Sequence, residues 1–223
     1  MSTTNDPQRI DARIGRIREL QERLPERPAP EAYREPDWDL TEGAEPGTAL
    51  GWDMPSRLRW ARTEDFKSSI TAELDAWATN PQGRNLVIFG PVGVGKSHAA
   101  VAACRVAAEH HQEVRFVPSV ELFELLRPDG PPGYLAALMG LDRLIIDDLG
   151  AERATEWSTD RLYAVLNRRW LEERPTVVTT NMAPEQLADE LRADIFSRLC
   201  GSDAVLVRLT GADRRMTGPG GAA

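Results

Sequence analysis

Gly90, Pro91, Val92, Gly93, Val94, Gly95, Lys96 and Ser97 run consecutively and fit the pattern G-x-x-x-x-G-K-[ST] at every position. The chemistry this suits is the wrapping of a polyphosphate. Glycines let the backbone fold so that successive N–H groups, and the start of the following helix, face the anion. Lys96 adds a mobile charge for the β- and γ-phosphates, and the Ser97 hydroxyl supplies a Mg²⁺ ligand. A second apolar run, Leu144-Ile145-Ile146, ends in two carboxylates, Asp147 and Asp148. Beside the glycine loop, at the C-terminal edge of a parallel sheet, Asp147 holds the metal sphere. Asp148 then stands where a general base polarises the attacking water, with Glu152, one methylene longer, as the alternative base.

Thr179, Thr180 and Asn181 close the next apolar run. With that strand inserted between the glycine-loop strand and the carboxylate strand, Asn181 reaches the γ-phosphate and orients water. Arg198 has two readings. Either it stabilises charge on a γ-phosphate held by another copy, or it is a surface side chain paired with Asp194 one turn earlier.

These residues need a scaffold, and the pattern around them supplies one. Strands are expected at Leu86–Phe89, Val114–Val117, Leu144–Ile146, Thr176–Thr179 and Ala204–Leu209. Helices are expected from Thr63, as N-cap, to about Thr79, with Phe66, Ile70, Leu74 and Trp77 on one face, and from Lys96 to His111. Further helices are Val120–Arg127 capped by Ser119, Tyr134–Met139, Thr159–Glu173, and shorter pieces around 185–191 and 195–199. Strands alternating with helices, several strands being unbroken apolar runs, predict an α/β fold with a five-stranded parallel sheet covered on both faces.

Ahead of this core, Ile10, Ile14, Ile17, Leu20 and Leu24 share one face of an amphipathic N-terminal helix within residues 1–24. Residues 25–54 are rich in Pro and acid and read as a linker; 55–215 form the core and 216–223 a flexible Gly/Ala tail. The helix is expected to bind a partner, docking on its own core being the alternative.

With 223 residues, the chain is long enough for one core that needs no staples. Its two cysteines, Cys104 and Cys200, are far apart, which excludes a zinc ribbon or disulfide framework. No apolar run reaches membrane-spanning length and the N-terminus lacks a signal peptide's apolar centre, so a cytoplasmic protein with no membrane contact is expected. A formal net charge of -8 gives no whole-body attraction to nucleic acid.

The segments 90–98, Leu144 to Glu152 and Arg174 to Asn181 resemble AAA+ ATPases of the DnaC/IstB type, as do the stretch from Pro55 to Phe66, Asn167 to Arg169 and Ser197 to Leu199. The resemblance spans about Met54 to Arg215. It implies a P-loop AAA+ fold that binds ATP with Mg²⁺ through residues 90–98, His98 included, and hydrolyses it. It places Arg198 at the arginine-finger position and implies a homo-oligomer or an assembly templated on a replicative DNA helicase. It implies action on that helicase and single-stranded DNA as a helicase loader, or alternatively as an IstB-like transposition accessory ATPase. In initiator-clade relatives Ser119 to Met139 is where an element touching single-stranded DNA is inserted, but here that stretch has Arg127 as its one basic residue. Arg214 and Arg215 are read as a solvated tail, a sensor-2-like clasp being the alternative. From other classes, a P-loop small-molecule kinase lacks its Arg-rich lid here, and a nucleotide-binding scaffold would hydrolyse ATP scarcely at all.

Overall fold

The protein is described from a computed structural model that covers residues 54–150 and 155–214. The expected N-terminal helix, the linker up to residue 53, Glu152, Arg215 and the tail lie outside the described residues.

Among the described residues, five strands form one parallel sheet: β1 (Leu86–Phe89), β2 (Val114–Pro118), β3 (Arg143–Asp147), β4 (Thr176–Thr180) and β5 (Val205–Arg208). Their order is β2-β3-β4-β1-β5, and the three central strands pair Ile145 with Val177 and Leu86 with Val177. The strand after the carboxylate pair is therefore the inserted one, lying between β3 and β1 as the Asn181 argument requires. This is the expected α/β fold with a five-stranded parallel sheet covered on both faces.

Alternation within each strand divides the core between two faces, since successive side chains point oppositely. Leu86, Ile88, Ile145 and Val177 bury against α1 (Ser68–Thr79) and α2 (Lys96–Glu109). Val87, Leu144, Ile146 and Val178 bury against α3 (Ser119–Leu125), α4 (Tyr134–Gly140), α5 (Glu156–Leu171), α6 (Pro184–Glu190) and α7 (Ala193–Cys200). In α2, Ala99, Ala100, Ala102, Ala103 and Ala107 are all buried, small side chains that let the helix after the glycine loop lie close on the sheet.

Three local expectations give way. The helix expected from Thr63 breaks: a 3₁₀ turn, Thr63–Asp65, is followed by extended Phe66, and α1 starts at Ser68. Thr63 caps nothing; its carbonyl is taken by the Thr71 hydroxyl at 2.7 Å, while Asp65 accepts from the Arg62 amide at 3.0 Å. Ser119 is the first residue of α3 rather than its cap, because its hydroxyl donates instead to the Asp148 carbonyl at 2.8 Å. Helix α5 begins at Glu156, ahead of Thr159, because Thr155 and Ser158 cap it reciprocally.

Arg169 of α5 is fully buried. It donates to the Thr176 hydroxyl and to the carbonyls of Leu138, Leu141 and Pro175 at 2.7–3.0 Å. Burial, with the charges of Arg174 and Arg143, pushes its pKa down. The guanidinium ties α4 and the start of β4 to α5, and each buried carbonyl left unpaired by its loss would cost about 1–3 kcal/mol.

Candidate nucleotide site

Strand β1 ends at Phe89 and the chain turns at once into the glycine loop. Gly93 has φ +80° and a Cβ there would lie 2.0 Å from the Asp213 carboxylate, so only glycine fits. Gly95, at φ +99°, is the left-handed N-cap of α2, and Lys96 and Ser97 open that helix. Pro91 and Val92 form the exposed outer rim of the loop, whereas Val94 is buried beneath it. The free amides of the first turn of α2 thus open onto the space enclosed by the loop.

Lys96 is buried, and its ammonium donates to the Pro91 carbonyl at 2.8 Å and to Asn181 Oδ1 at 2.6 Å. Asn181, just past β4, donates its Nδ2 to Asp148 Oδ1 at 2.6 Å. The sequence separation between Lys96 and Asn181 is thereby closed by the strand order, and three strand ends meet in one polar chain.

Asp147 accepts from the Ser97 hydroxyl at 3.0 Å on one oxygen and from the Thr179 hydroxyl at 2.6 Å on the other. Burial raises its pKa, against the lowering effect of the Thr179 and Ser97 hydroxyls; Asp148 raises it further and Lys96 lowers it. The fit to Mg²⁺ rests on the pair Ser97 and Asp147, hard oxygen donors side by side. Mg²⁺ commonly takes one or two such protein ligands and completes its shell with phosphate oxygens and water. The Thr179 hydroxyl also accepts the Asp148 amide at 2.8 Å, and Asp148 itself sits at φ +58°. One threonine therefore fixes the side chain of the first carboxylate and the backbone of the second.

Beside the loop lies an open cavity of about 640 Å³, lined by Leu58, Asp65, Gly93, Gly95, Lys96, Ser97, His98 and Arg214. Its size is in the range of small-molecule sites. His98 Nε2 meets Asp65 Oδ2 at 2.6 Å, and its ring meets Phe66 edge-on at 5.7 Å. Burial acts to raise the Asp65 pKa, but hydrogen bonds from His98 and the Arg62 amide, with the charges of His98 and Arg214, outweigh it and hold it low.

At the described end of the chain Arg214 is exposed but tied to the glycine loop. The Arg214 amide donates to the Gly93 carbonyl at 2.9 Å, and its guanidinium covers the Phe66 ring at 4.7 Å. Sequence spacing carried no signal for this, because the contact spans more than a hundred residues.

Arg198 lies elsewhere. Its carbonyl accepts from Asn85 Nδ2 at 2.7 Å, at the start of β1, whereas the glycine loop follows that strand's end. Five steps of 3.2–3.4 Å along the strand take the chain from Asn85 to Gly90, about 16 Å. The alternative pairing with Asp194 is also absent. Arg192 holds Asp194, at 2.6 Å, and Arg198 Nε donates to Asn167 Oδ1 at 2.8 Å.

The family described as IstB-like ATP binding protein matches residues 57–212. The replicative helicase loader DnaI of Bacillus subtilis (strain 168) is 29% identical over 123 residues, 53% of this chain and 40% of its own length. A putative ATP-binding protein in insertion sequence, Rv3427c of Mycobacterium tuberculosis (strain ATCC 25618 / H37Rv), is 31% identical over 110 residues, 46% of this chain and 42% of its own. A crystal structure of DnaI matches at a TM-score of 0.63 and 26% identity, covering 73% of this chain and 95% of that one. The chain spans about half the length, or less, of the curated relatives it matches. No helix among the described residues is long and apolar enough to cross a membrane.

Proposed function

The chain belongs to the IstB-like ATP-binding protein family, and from that premise we propose that it hydrolyses ATP with Mg²⁺ to load a replicative DNA helicase onto single-stranded DNA. The observation that carries the hydrolytic part is the chain Lys96–Asn181–Asp148, which links a phosphate-binding cation to a carboxylate base through one amide.

ATP brings the phosphate chain, and with Mg²⁺ bound the γ-phosphorus becomes the electrophile. The amides of residues 93–97 hold the phosphates, and Lys96 leaves Asn181 to follow their charge. Ser97 and Asp147 would hold the metal. Asn181, released from Lys96, orients a water whose proton Asp148 accepts as its oxygen bonds to the γ-phosphorus and the bond to the bridging oxygen breaks, ADP being the leaving group. Glu152 remains the alternative base. His98 and Arg214 wall the space beyond the loop, with Phe66 packed against both.

Arg198 serves a second copy of the chain. It stands the length of β1 away from its own loop, so in this role it completes a neighbour's site and hydrolysis depends on assembly. The assembly is a homo-oligomer or one templated on the helicase. The N-terminal segment 1–24 is its partner-binding element. DNA contact through α3 and α4 has little to support it, since Arg127 is paired with Glu124 at 2.7 Å.

The likeness to a helicase loader supports this reading, and the insertion-sequence relative supports a second, a transposition accessory ATPase. Affinity capture with the host's replicative helicase and, separately, with a transposase distinguishes them. Capture of helicase by the full chain and not by a chain lacking residues 1–24, with ATP affinity unchanged, is the expected outcome. Capture of transposase alone would replace the loader reading by the second.

A further inference from the structure

We infer that Asn167 and Trp170 are positioning residues that set the Arg198 guanidinium to receive a γ-phosphate held by a second copy of this chain; this rests on the trans role of Arg198 proposed above. The side chain is gripped before any partner arrives. Nε donates to Asn167 Oδ1 at 2.8 Å, the guanidinium carbon lies 4.4 Å from the Trp170 ring centre, and the residue's carbonyl is held by Asn85. Asn85 in turn accepts the Thr176 amide at 2.8 Å, which fixes the mount to the starts of β1 and β4. One N–H and one face are thus used, and both Nη groups make no hydrogen bond among the described residues. Those two groups form the fork that grips a phosphate. Holding them in advance removes an ordering cost from the encounter.

The identity of residue 167 fits this use better than it fits packing. Asn167 is fully buried, and its Nδ2 has no hydrogen-bond partner. The amide is not free to turn over, because that would set its N–H against the Arg198 Nε–H. A leucine would fill the same space without an orphaned donor. An aspartate would take the guanidinium fork for itself and cancel its charge. A neutral acceptor steers the arginine and leaves its charge available.

The test measures ATP turnover per subunit of the full chain against protein concentration, with melting temperature alongside. Asn167→Leu and Trp170→Ala should lower kcat about ten- to a hundredfold at concentrations where assembly is complete, with KM for ATP unchanged. Trp170→Phe, which keeps a ring face, should restore most of it. Asn167→Leu should melt no lower than the parent protein. Mixing it with Lys96→Ala should recover turnover, because intact loops then meet intact, correctly held Arg198 side chains. Loss of melting temperature in step with kcat, with no recovery on mixing, would make Asn167 a structural residue and overturn the inference. Full turnover in Asn167→Leu while Arg198→Ala loses it would also overturn it, leaving the trans role standing. Turnover that is absent, independent of concentration or indifferent to Arg198→Ala would remove the trans role, and this inference with it.

Discussion

The Lys96 ammonium and the Asn181 amide oxygen are 2.6 Å apart, although 85 residues separate them in the chain. Because the same amide donates to Asp148, the direction in which Asn181 faces is fixed from both sides. A γ-phosphate drawing Lys96 away would break one tie and keep the other. Asn181→Ala should therefore lower turnover by about two orders of magnitude, the scale set by losing one preorganised polar group. ATP affinity should stay within about threefold, since Lys96 keeps the Pro91 carbonyl and its phosphate partners. Equilibrium nucleotide titration beside single-turnover hydrolysis separates the two; a large loss of affinity would contradict the role given to Asn181.

The two adjacent carboxylates should fail differently. Asp147→Asn should weaken Mg²⁺-dependent ATP binding, because Asp147, in hydrogen-bond contact with Ser97, shares with it the proposed metal position. Asp148→Asn should leave binding intact and lower kcat about a hundredfold or more. Identical losses in affinity and rate would dissolve these assignments, and full activity in Asp148→Asn with loss in Glu152→Gln would move the base to Glu152.

Asp147 also carries a pH signature. Burial raises its pKa in the folded protein above the unfolded value. Such a group binds its proton more tightly when folded, so stability is highest below the ordinary carboxylate range and falls as pH rises toward the raised value. At neutral pH ionised Asp147 is thus a standing cost to the nucleotide-free protein. Asp147→Asn should raise the melting temperature at pH 7, and the gain should shrink to nothing in acid, where both forms are neutral. A gain that grew on acidification would reverse the sign argued here.

Gly93→Ala should disturb the loop from behind. The new methyl would press on the Asp213 carboxylate and would hold a φ of +80° that alanine resists. Nucleotide affinity should fall at least about tenfold with little loss of secondary structure, a strained left-handed residue costing of order 1–3 kcal/mol. Isothermal titration with ATP and with ADP should show the loss for both, as the loop serves all the phosphates.

What could be read in advance follows the range of the forces involved. The glycine loop, Asp147 and the alternating strands are local patterns, and Leu144-Ile145-Ile146 splitting its residues between two faces is simple pleat geometry. The placement of Asn181 beside Lys96 was legible once the strand order was assumed. Thr179 is legible as part of a strand end, but its two hydrogen bonds, donated to Asp147 and accepted from the Asp148 amide, depend on which strand lies beside β3. The partners of Arg198 and Arg214 were not legible, because aromatic faces and backbone carbonyls leave no pattern of spacing. The expected Thr63 helix is interrupted by extended Phe66 and Lys67, and Asp65 beside that break pairs with a distant histidine that local spacing does not reveal.

The hydrogen bond from the Arg214 amide to the Gly93 carbonyl gives the loop a built-in clock. That proton exchanges with solvent only when the crossing segment lifts from the glycine loop, so its rate in heavy water measures how often the loop is uncovered. A nucleotide that tightens the loop slows the exchange without touching the amide. Comparing ADP with ATP at this one position would follow the site through the proposed hydrolytic cycle.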